Sequence, residues 1–196
     1  MHQLLLATCN SHKTREFAEI LGDRSEIRDL AHLTELPAVE ETGLTFEANA
    51  ILKAVEISKQ FEELVVADDS GLEVDALQGA PGIYSARYAG EHATDAANVA
   101  KLLAALAQQN PGPRPARFRC SLALARGGEV LATFGGVVEG TIVEAPRGKA
   151  GFGYDPVFQP LGFDQTFGEL SASDKNRISH RAEAIRLLRA ALLAKS

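Results

Sequence analysis

Apolar and polar residues follow one another along the first part of the chain in blocks that predict alternating strands and helices. Residues 3–8 form a short apolar run that ends in polar residues, which is typical of a buried strand. Between residues 12 and 21 the apolar side chains recur on one helical face, and Gly22 is suited to ending that helix. Apolar residues at spacings of three and four predict a further helix over about residues 45–61, with Thr45 as its N-cap.

The alternation continues beyond this helix. A second strand is predicted over residues 64–67, where an apolar run ends abruptly in Asp68-Asp69-Ser70-Gly71. A third helix fits residues 95–107, and the last helix covers about residues 179–194. Strands and helices are therefore expected over most of the chain.

A hairpin pattern and a Pro/Gly-dense segment indicate the domain organisation. Residues 116–125 and 130–138 are predicted strands, and Arg126-Gly127-Gly128-Glu129 between them predicts a β-hairpin. The segment 110–115, Asn-Pro-Gly-Pro-Arg-Pro, is interpreted as the point where one lobe is followed by the next. The order of elements predicts a three-layer α/β fold with a central mixed sheet. We expect a single domain over residues 1–196, with two lobes around an active-site cleft.

Composition and charge restrict the classes of function. The 196 residues suffice for one compact domain, and 45% hydrophobic with 23% charged residues is an ordinary globular composition. No apolar run approaches the ~20 residues that a membrane span needs, and no signal peptide is recognisable, so we expect a cytoplasmic protein that does not bind membranes. The net charge of −6 argues against a nucleic-acid partner but allows a small phosphorylated ligand. Cys9 and Cys120 lack metal-ligand spacing and are predicted to be reduced core residues.

The first candidate site residues lie between the first strand and the first helix, in Thr8-Cys9-Asn10-Ser11-His12-Lys13. The N-terminus of a helix presents unpaired backbone N–H groups and the positive end of the helix dipole, which suits a phosphate. Thr8, Asn10 and Lys13 add polar groups to this cradle, although the Gly-rich spacing and the Lys-Ser/Thr pair of a P-loop are absent. The alternative interpretation is a helix cap with a solvated lysine.

Asp68 and Asp69 are adjacent carboxylates that directly follow an apolar strand. They would repel each other there, so a cation or a strong hydrogen-bond network is expected nearby. Mg²⁺ commonly takes one or two carboxylates together with substrate phosphates. Because adjacent strand residues point to opposite faces, only one of the pair is expected to meet the metal. The alternative interpretation is an Asx turn in which Asp68 caps local backbone amides.

Polar residues around the second predicted helix form a weaker pattern. Glu40-Glu41-Thr42-Gly43 is, taken alone, an acidic turn that precedes the helix. Asn49 and Lys53 are four residues apart and therefore share one helical face. That face is either a solvated surface or brings Lys53 to the same phosphates as Lys13.

A last group of candidate residues lies late in the chain. Gly151-Phe152-Gly153-Tyr154-Asp155-Pro156 suits either an ordinary turn or a platform on which a base stacks while Asp155 reads its edge. Lys175 and Ser179-His180-Arg181 follow, and Arg181 is a cation at a helix N-terminus, where it opposes the dipole. Such a locally unfavourable residue often marks a functional site, whereas His180 alone is more often structural.

Taken together, these motifs resemble those of the inosine triphosphate pyrophosphatase family, whose members act on non-standard purine nucleoside triphosphates. The resemblance covers essentially the whole chain, with Cys9 and His12 at positions where glycine is usual. It implies hydrolysis of ITP, dITP and XTP to the monophosphate and pyrophosphate, with Mg²⁺ as cofactor, in a homodimer. The matching segments, in the family's order, are residues 8–13, 40–43 with Phe46, 49–54, 67–72, 79–88, 151–156 and 179–181.

The resemblance also implies roles for individual residues. Asp69 would be the general base and a metal ligand, and Glu40 would be the second acidic ligand, with Glu41 as the alternative that spacing leaves open. Attack of water on the α-phosphorus needs such a base, a metal, and cations on the leaving pyrophosphate. Substrate contacts are implied for Thr8, Cys9, Asn10, Ser11, His12, Lys13 and Lys53 at the triphosphate, for Ser70, and for Phe152, Gly153, Tyr154, Asp155, Lys175, His180 and Arg181 at the base.

Two other functions remain alternatives. A pyrophosphatase for modified pyrimidine nucleotides would share the fold but have a different base pocket, and the late aromatic and His-Arg residues favour the larger purine. A non-catalytic nucleotide- or RNA-binding module is disfavoured by the acidic net charge and by the carboxylates beside the phosphate loop.

Overall fold

Helices and strands alternate over most of the chain, as the hydrophobic pattern predicts. The computed structural model describes residues 2–22, 25–31, 33, 39–109 and 111–194, so Asn110 of the predicted 110–115 segment lies outside the described residues. None of the described helices is long and apolar enough to cross a membrane. In chain order the elements are β1 (His2–Leu6), α1 (Ser11–Leu21), β2 (Ser25–Asp29), α2 (Phe46–Ser58), β3 (Leu64–Val74), α3 (Asp95–Ala107), β4 (Pro115–Arg126), β5 (Glu129–Ile142), β6 (Phe158–Pro160), α4 (Ala172–Ile178) and α5 (His180–Ala194).

The strands of the described chain form one sheet in the order β2-β1-β3-β4-β5-β6. β1 pairs in parallel with both β2 and β3, so that Leu4 lies opposite Ile27 on one side and Leu64 on the other. β6 pairs antiparallel with β5, with Ile142 opposite Phe158. Helices combined with a sheet that contains parallel and antiparallel pairs confirm the predicted α/β class with a mixed sheet.

The chain divides into two compact units, each built from segments that are separated in sequence. Helices α1, α2 and α5 belong to the first unit, and α3 and α4 belong to the second. The first unit comprises Met1–Asp69, Cys120–Gly136 and His180–Ser196, and the second comprises Ser70–Arg119 and Val137–Ser179.

Alternation of side chains along the strands gives the first unit two cores. Leu4 of β1 and Val66 of β3 belong to a core that also contains apolar residues of α1 and α5. Leu5 and Val65, their neighbours in sequence, belong to a second core with Ala50 of α2. Successive strand residues point to opposite faces, so this unit has helices on both faces of its strands. The predicted three layers are therefore present in the first unit.

The second unit has an aromatic core. The ring centroids of Phe118 and Phe158 are 4.7 Å apart and those of Phe158 and Phe167 are 5.2 Å apart, with tilted ring planes. Aromatic pairs favour such tilted contacts over face-to-face stacking. Leu102 of α3 and Tyr154 of the late glycine-rich segment belong to the same core. This core therefore anchors both a helix and part of a predicted site.

Local signals correctly predicted several element boundaries. Thr45 is the N-cap of α2, where its side chain accepts the N–H of Ala48, and Gly22 follows α1 with a φ of 66°. The hairpin turn has Gly127 and Gly128 at φ values of 58° and 85°, as two-residue hairpin loops of this kind require. These predictions are confirmed because caps and tight turns depend on interactions over a few residues only.

Strand β3 is longer than the hydrophobic pattern predicts. The apolar run ends at Ala67, but β3 continues through Asp68 and Asp69 to Val74. The predicted end of the strand was wrong because these buried carboxylates are neutralised by cations from other elements, which a local pattern does not reveal. The interpretation of this segment as an Asx turn is wrong for the same reason.

Other elements also differ from the prediction, among them two that were missed and one helix that ends early. β2 was not predicted, because its five residues contain only one apolar side chain, Ile27, and it lies at the edge of the sheet. The seven-residue helix α4 was also missed, since it is too short for a recognisable apolar period. Helix α2 ends at Ser58, before the predicted end at Phe61. Phe61 lies beyond the helix but packs against the core that contains Ala50 of α2, so its apolar side chain wrongly extended the predicted helix.

Gly136 on β5 is expected to tolerate no side chain. A Cβ atom there would lie 2.0 Å from the carbonyl oxygen of His180 and 2.8 Å from the backbone nitrogen of Ala184, both in α5. A helix backbone cannot move aside as a flexible side chain can, so Gly136→Ala should lower the free energy of unfolding by at least about 1–3 kcal/mol. Urea unfolding measures this difference. Gly135→Ala is the control, because its added Cβ would meet no atom within 4 Å. Equal stability of the two variants would contradict the close packing at this position.

Candidate active site

The N-terminus of α1 is built from residues of the predicted phosphate loop. Asn10 is the N-cap, and its side-chain oxygen accepts the N–H groups of His12 at 2.9 Å and Lys13 at 3.3 Å. Thr8 Oγ1 accepts the N–H of Asn10 at 3.1 Å. The loop is therefore ordered by its own side chains before any ligand is considered. Its exposed residues are Cys9, Asn10, Ser11 and His12.

Lys13 is not the solvated lysine that the alternative interpretation required. Its Nζ lies 2.5 Å from Asp68 Oδ1 and 3.2 Å from the Asp68 backbone oxygen, and its side chain is 16% exposed. Lys53 of α2 donates to the same backbone oxygen at 3.0 Å. The helix cap is confirmed and the solvated lysine is wrong, because two ammonium groups converge on Asp68. The two lysines thus lie together, as the hypothesis of a shared phosphate site requires.

The polar face of α2 is largely buried, so its interpretation as a solvated surface is wrong. Asn49 is fully buried, and its side chain donates to Asp69 Oδ2 at 3.3 Å and accepts the N–H of Gly43 at 2.8 Å. Lys53 Nζ lies 2.9 Å from Asp69 Oδ1 and 2.9 Å from Glu41 Oε1. This face therefore supplies the two side chains that orient the Asp69 carboxylate.

The two adjacent carboxylates of β3 differ in their electrostatics. Burial alone would raise the pKa of Asp68, but Arg181 and Lys13 beside it hold that pKa well below its usual range. Burial raises the pKa of Asp69, and the neighbouring Lys53 offsets this effect only in part. Asp68 is therefore a fixed anion, whereas Asp69 is the carboxylate that more readily takes up a proton, as a general base must.

Arg181 is buried in the first unit, with only 2% of its side chain exposed. Its Nε donates to Asp68 Oδ2 at 2.8 Å and its Nη1 donates to Glu16 Oε2 at 2.6 Å. These carboxylates offset the unfavourable position of a cation at the start of α5. The sequence analysis missed Glu16. Residues four apart share a helical face, so Glu16 lies on the same side of α1 as Ile20, and a charged residue on an apolar face is a signal that could have identified it. The role of Arg181 at the base stays a prediction.

The predicted core cysteines have different environments. Cys120 is buried, its Sγ donates to Asp68 Oδ2 at 3.3 Å, and burial raises its pKa well above the usual value. It is the inert core residue that was predicted. The prediction for Cys9 was wrong, because Cys9 is exposed in the loop that precedes the Asn10 cap.

His180 at the start of α5 is buried.

Two carboxylates, those of Glu41 and Asp69, converge on the ammonium group of Lys53. Glu41, which spacing had left open as the alternative to Glu40 for the second metal ligand, is paired with Lys53, whereas Glu40 is exposed. Within residues 2–22, 25–31, 33, 39–109 and 111–194, no cluster of three or more His, Cys, Asp or Glu side chains could hold a metal. Two converging carboxylates nevertheless fit Mg²⁺, which commonly completes its coordination with water and substrate phosphates.

The second unit contains the late glycine-rich segment. Asp155 Oδ2 accepts Lys175 Nζ at 2.6 Å and the N–H of Phe152 at 2.9 Å. Asp155 and Lys175 are both buried, and Lys175 Nζ lies 4.7 Å from the centre of the Phe152 ring. Gly151 has a φ of 74°, and a Cβ there would lie 1.9 Å from Asp155 Oδ2, so glycine is required for the chain to turn so closely round the carboxylate.

The two aromatic rings of this segment differ in exposure. Tyr154 is only 3% exposed, and its hydroxyl donates to the backbone oxygen of Ser85 at 2.8 Å. Phe152 is half-buried, so it is the ring whose face a ligand can meet. Ser70, which follows Asp69 on β3, is also half-buried. Tyr154 is therefore the buried ring of this segment and Phe152 the half-buried one.

Comparison with known proteins gives one family over the whole chain. The sequence profile of the Ham1 family matches residues 4–191. The chain belongs to the Ham1 family. A dITP/XTP pyrophosphatase of Bacillus licheniformis is 51% identical over 193 residues, which cover 98% of each chain. A dITP/XTP pyrophosphatase of Bacillus subtilis is 49% identical over 189 residues, 96% of each chain. The family resemblance of the motifs is confirmed.

Solved structures of Ham1 proteins share this fold. The Staphylococcus aureus Ham1 protein superposes with a TM-score of 0.86 at 42% identity, covering 99% of this chain and 100% of that one. The Coxiella burnetii HAM1 protein has a TM-score of 0.89 at 42% identity, with the same coverage. A nucleoside-triphosphatase / dITP/XTP pyrophosphatase from Mycobacterium abscessus has a TM-score of 0.75 at 42% identity, covering 95% of this chain and 98% of that one. The α/β architecture is therefore that of the Ham1 family.

Proposed function

We propose that this Ham1-family chain hydrolyses non-standard purine nucleoside triphosphates, namely dITP, XTP and ITP, to the monophosphate and pyrophosphate. The observation that carries the proposal is the convergence of Lys13 and Lys53 on the Asp68 backbone, with the Asp69 carboxylate 2.9 Å from Lys53. Cations beside an oriented carboxylate are what hydrolysis at the α-phosphorus requires. Relatives at 51% and 49% identity are dITP/XTP pyrophosphatases, which supports the same substrate class.

The triphosphate is assigned to Lys13, Lys53 and the N-terminus of α1. An ammonium group carries three N–H donors, and the charge of both lysines can stabilise the negative charge that develops on the leaving pyrophosphate. The exposed loop ahead of α1 adds backbone N–H groups and the helix dipole. The assigned residues are Thr8, Cys9 and Asn10 of this loop, together with Ser11 and His12, the first two residues of α1.

Asp69 is assigned as the general base that takes the proton of the attacking water. Asn49 and Lys53 hold its two oxygens in one orientation, and burial raises its pKa, which makes the carboxylate a better proton acceptor. Asp69 and Glu41 are the residues that would hold Mg²⁺, with the exposed Glu40 as the alternative to Glu41. When bound, Mg²⁺ would neutralise charge that develops on the phosphate oxygens.

The base is assigned to the late residues, with Phe152 as the stacking surface. Hypoxanthine and xanthine present a 6-oxo acceptor beside an N1–H donor, and Asp155 with Lys175 offers an acceptor beside a donor. Adenine presents a donor and a bare nitrogen there, so each mismatched buried group would cost about 1–3 kcal/mol, or roughly 10- to 100-fold in affinity. The resemblance also assigns Ser70, Gly153, Tyr154, His180 and Arg181 to the substrate.

The proposal includes finer features. Dependence on Mg²⁺ and assembly into a homodimer follow from the resemblance, whereas a cytoplasmic location without nucleic-acid or membrane partners is expected from the composition and net charge. Sedimentation of the purified chain would test the dimer. Nucleotide binding and turnover, each measured with and without Mg²⁺, separate an enzyme from a binding module. A module should bind nucleotide well in both conditions and release no pyrophosphate.

Lys13→Ala and Lys53→Ala are each expected to lower kcat/KM for dITP by about 10- to 100-fold, the worth of a charge-assisted hydrogen bond. The effect should appear at the triphosphate, so inorganic pyrophosphate should also inhibit both variants less strongly. Lys59→Ala is the matched control. Lys59 lies just after α2, where its ammonium is exposed and paired with Glu56, and the substitution changes the net charge equally. If all three variants lose activity equally, neither Lys13 nor Lys53 binds phosphate.

The substrate panel tests the proposed specificity. The values of kcat/KM for pyrophosphate release should be highest for dITP, XTP and ITP and lower for ATP, CTP and UTP. Guanine shares the 6-oxo and N1–H groups of hypoxanthine, so a lower value for GTP requires a further donor, from Lys175 or a backbone N–H, that faces the guanine 2-amino group. A modified pyrimidine triphosphate should also be a poor substrate. Preference for the pyrimidine would support the alternative pyrophosphatase, and equal activity on all nucleotides would remove the assigned role of the late residues in reading the base.

A further inference from the structure

We propose that Asp95, at the start of α3, is a positioning residue that fixes the orientation of Phe152 for the purine. The proposal rests on the proposed function, because it assumes that the segment 151–155 binds the base. Asp95 Oδ2 accepts the backbone N–H of Gly153 at 2.6 Å, although 58 positions separate the two residues in sequence. Both residues belong to the second unit, and no sequence motif drew attention to Asp95.

Phe152 needs such an anchor because glycines flank it. Gly151 and Gly153 have φ values of 74° and 60°, in the left-handed region. Glycine has access to more backbone conformations than any other residue, so ordering this segment is entropically costly. A ring that stacks on a base must nevertheless be held in one direction, and contacts from outside the segment can provide this.

The two peptide groups on either side of the Phe152 Cα atom are each held by a carboxylate. The N–H of Phe152, which belongs to the preceding peptide plane, donates to Asp155 Oδ2 at 2.9 Å. The N–H of Gly153, which belongs to the following plane, donates to Asp95 Oδ2. Because peptide groups are planar, holding both planes restricts φ and ψ of Phe152 and hence the direction of its Cα–Cβ bond, from which the ring extends. Asp155 alone would fix only one of these planes.

A competing explanation for Asp95 is purely structural. An acidic residue in the first turn stabilises a helix through its dipole, and Asp95 is the first residue of α3. Glu47, the second residue of α2, is likewise an acidic residue in a first helical turn and is also exposed. Glu47→Ala therefore removes a comparable dipole contribution without touching the late segment, which makes it the matched control. Asp95→Asn removes the charge but keeps an oxygen that can accept the Gly153 N–H.

Asp95→Ala is expected to raise KM for dITP about tenfold with kcat unchanged, because the binding-competent orientation of Phe152 becomes less populated. Inhibition by inorganic pyrophosphate, which probes the phosphate residues alone, should stay as in the wild type. Asp95→Asn should restore most of the wild-type KM, and Glu47→Ala should leave KM unchanged. An unchanged KM in Asp95→Ala would overturn the proposal, as would an equal loss of pyrophosphate inhibition.

Hydrogen exchange tests the anchor without any substrate. Amides of the segment 151–155 should exchange about tenfold faster in Asp95→Ala than in the wild type or in Glu47→Ala, since a charge-assisted hydrogen bond is lost. Unchanged exchange would overturn the anchor itself. A wild-type protein that releases no pyrophosphate from dITP would instead refute the proposed function, and the exchange measurement would still decide whether Asp95 orders this segment.

Discussion

Asp69→Asn is expected to lower kcat for pyrophosphate release by about 100-fold or more, because an amide cannot take the proton of the attacking water. Asn49 and Lys53 fix the orientation of the Asp69 carboxylate, and burial raises its pKa. A fixed orientation and a raised pKa are both properties that a general base needs. The amide keeps the shape of the side chain, so nucleotide binding should survive. Detection of released pyrophosphate at saturating dITP measures kcat directly.

Two measurements make the result for Asp69 interpretable. In Asp69→Asn, the side-chain NH₂ group must face either Asn49 or Lys53, both of which are hydrogen-bond donors. The free energy of unfolding should therefore fall by about 1–3 kcal/mol, which urea unfolding measures. Asp164→Asn makes the same chemical change at an exposed position and is the matched control. A folded Asp69→Asn protein with a kcat close to that of the wild type would exclude Asp69 as the general base.

Arg181→Met is expected to lower the free energy of unfolding by about 3–5 kcal/mol, because it removes the buried cation that Asp68 and Glu16 share. Methionine keeps much of the apolar volume, so the loss reports the charge rather than a cavity. Lys13 still faces the other oxygen of Asp68, so the larger electrostatic penalty should fall on Glu16. Equilibrium unfolding in urea measures the difference.

The matched control for Arg181 lies on the same helix. Arg189→Met removes an exposed cation from α5 and should change stability by no more than about 0.5 kcal/mol. Glu16→Gln keeps an oxygen acceptor for Arg181 while removing one charge, so its loss should fall between the other two. A loss for Arg181→Met no larger than that for Arg189→Met would contradict the buried ion-pair network.

Features that depend on neighbouring residues could be predicted from the sequence. Thr45 and Gly22 mark helix ends through hydrogen bonds or backbone conformations within one turn, and the Gly127-Gly128 turn dictates its hairpin. The extent of β3 could not be predicted in this way. Its carboxylates are tolerated inside a strand because Lys13, Lys53 and Arg181 reach them from α1, α2 and α5, and a one-dimensional pattern does not contain those contacts.

The same distinction between local features and tertiary contacts applies to the residues of the candidate site. The motifs singled out Asp69, Lys13 and Lys53, and the structure brings these three residues together. Residues that act through another side chain carried little signal. Glu16 accepts a hydrogen bond from Arg181, and Asp95 accepts the N–H of Gly153 across 58 positions. Such partnerships are determined by tertiary packing. The sequence marks Glu16 only as an acid beside the apolar stripe of α1, and no motif marks Asp95.

Hydrolysis of dITP in ¹⁸O-labelled water tests the central claim most directly. If Asp69 directs water to the α-phosphorus while Lys13 and Lys53 stabilise the leaving group, the products are dIMP and pyrophosphate, and the label is found in dIMP. Phosphorus NMR and mass spectrometry of the products report both results. Label in pyrophosphate, or release of single phosphates while dIDP accumulates, would mean that another phosphorus is attacked and would contradict the account.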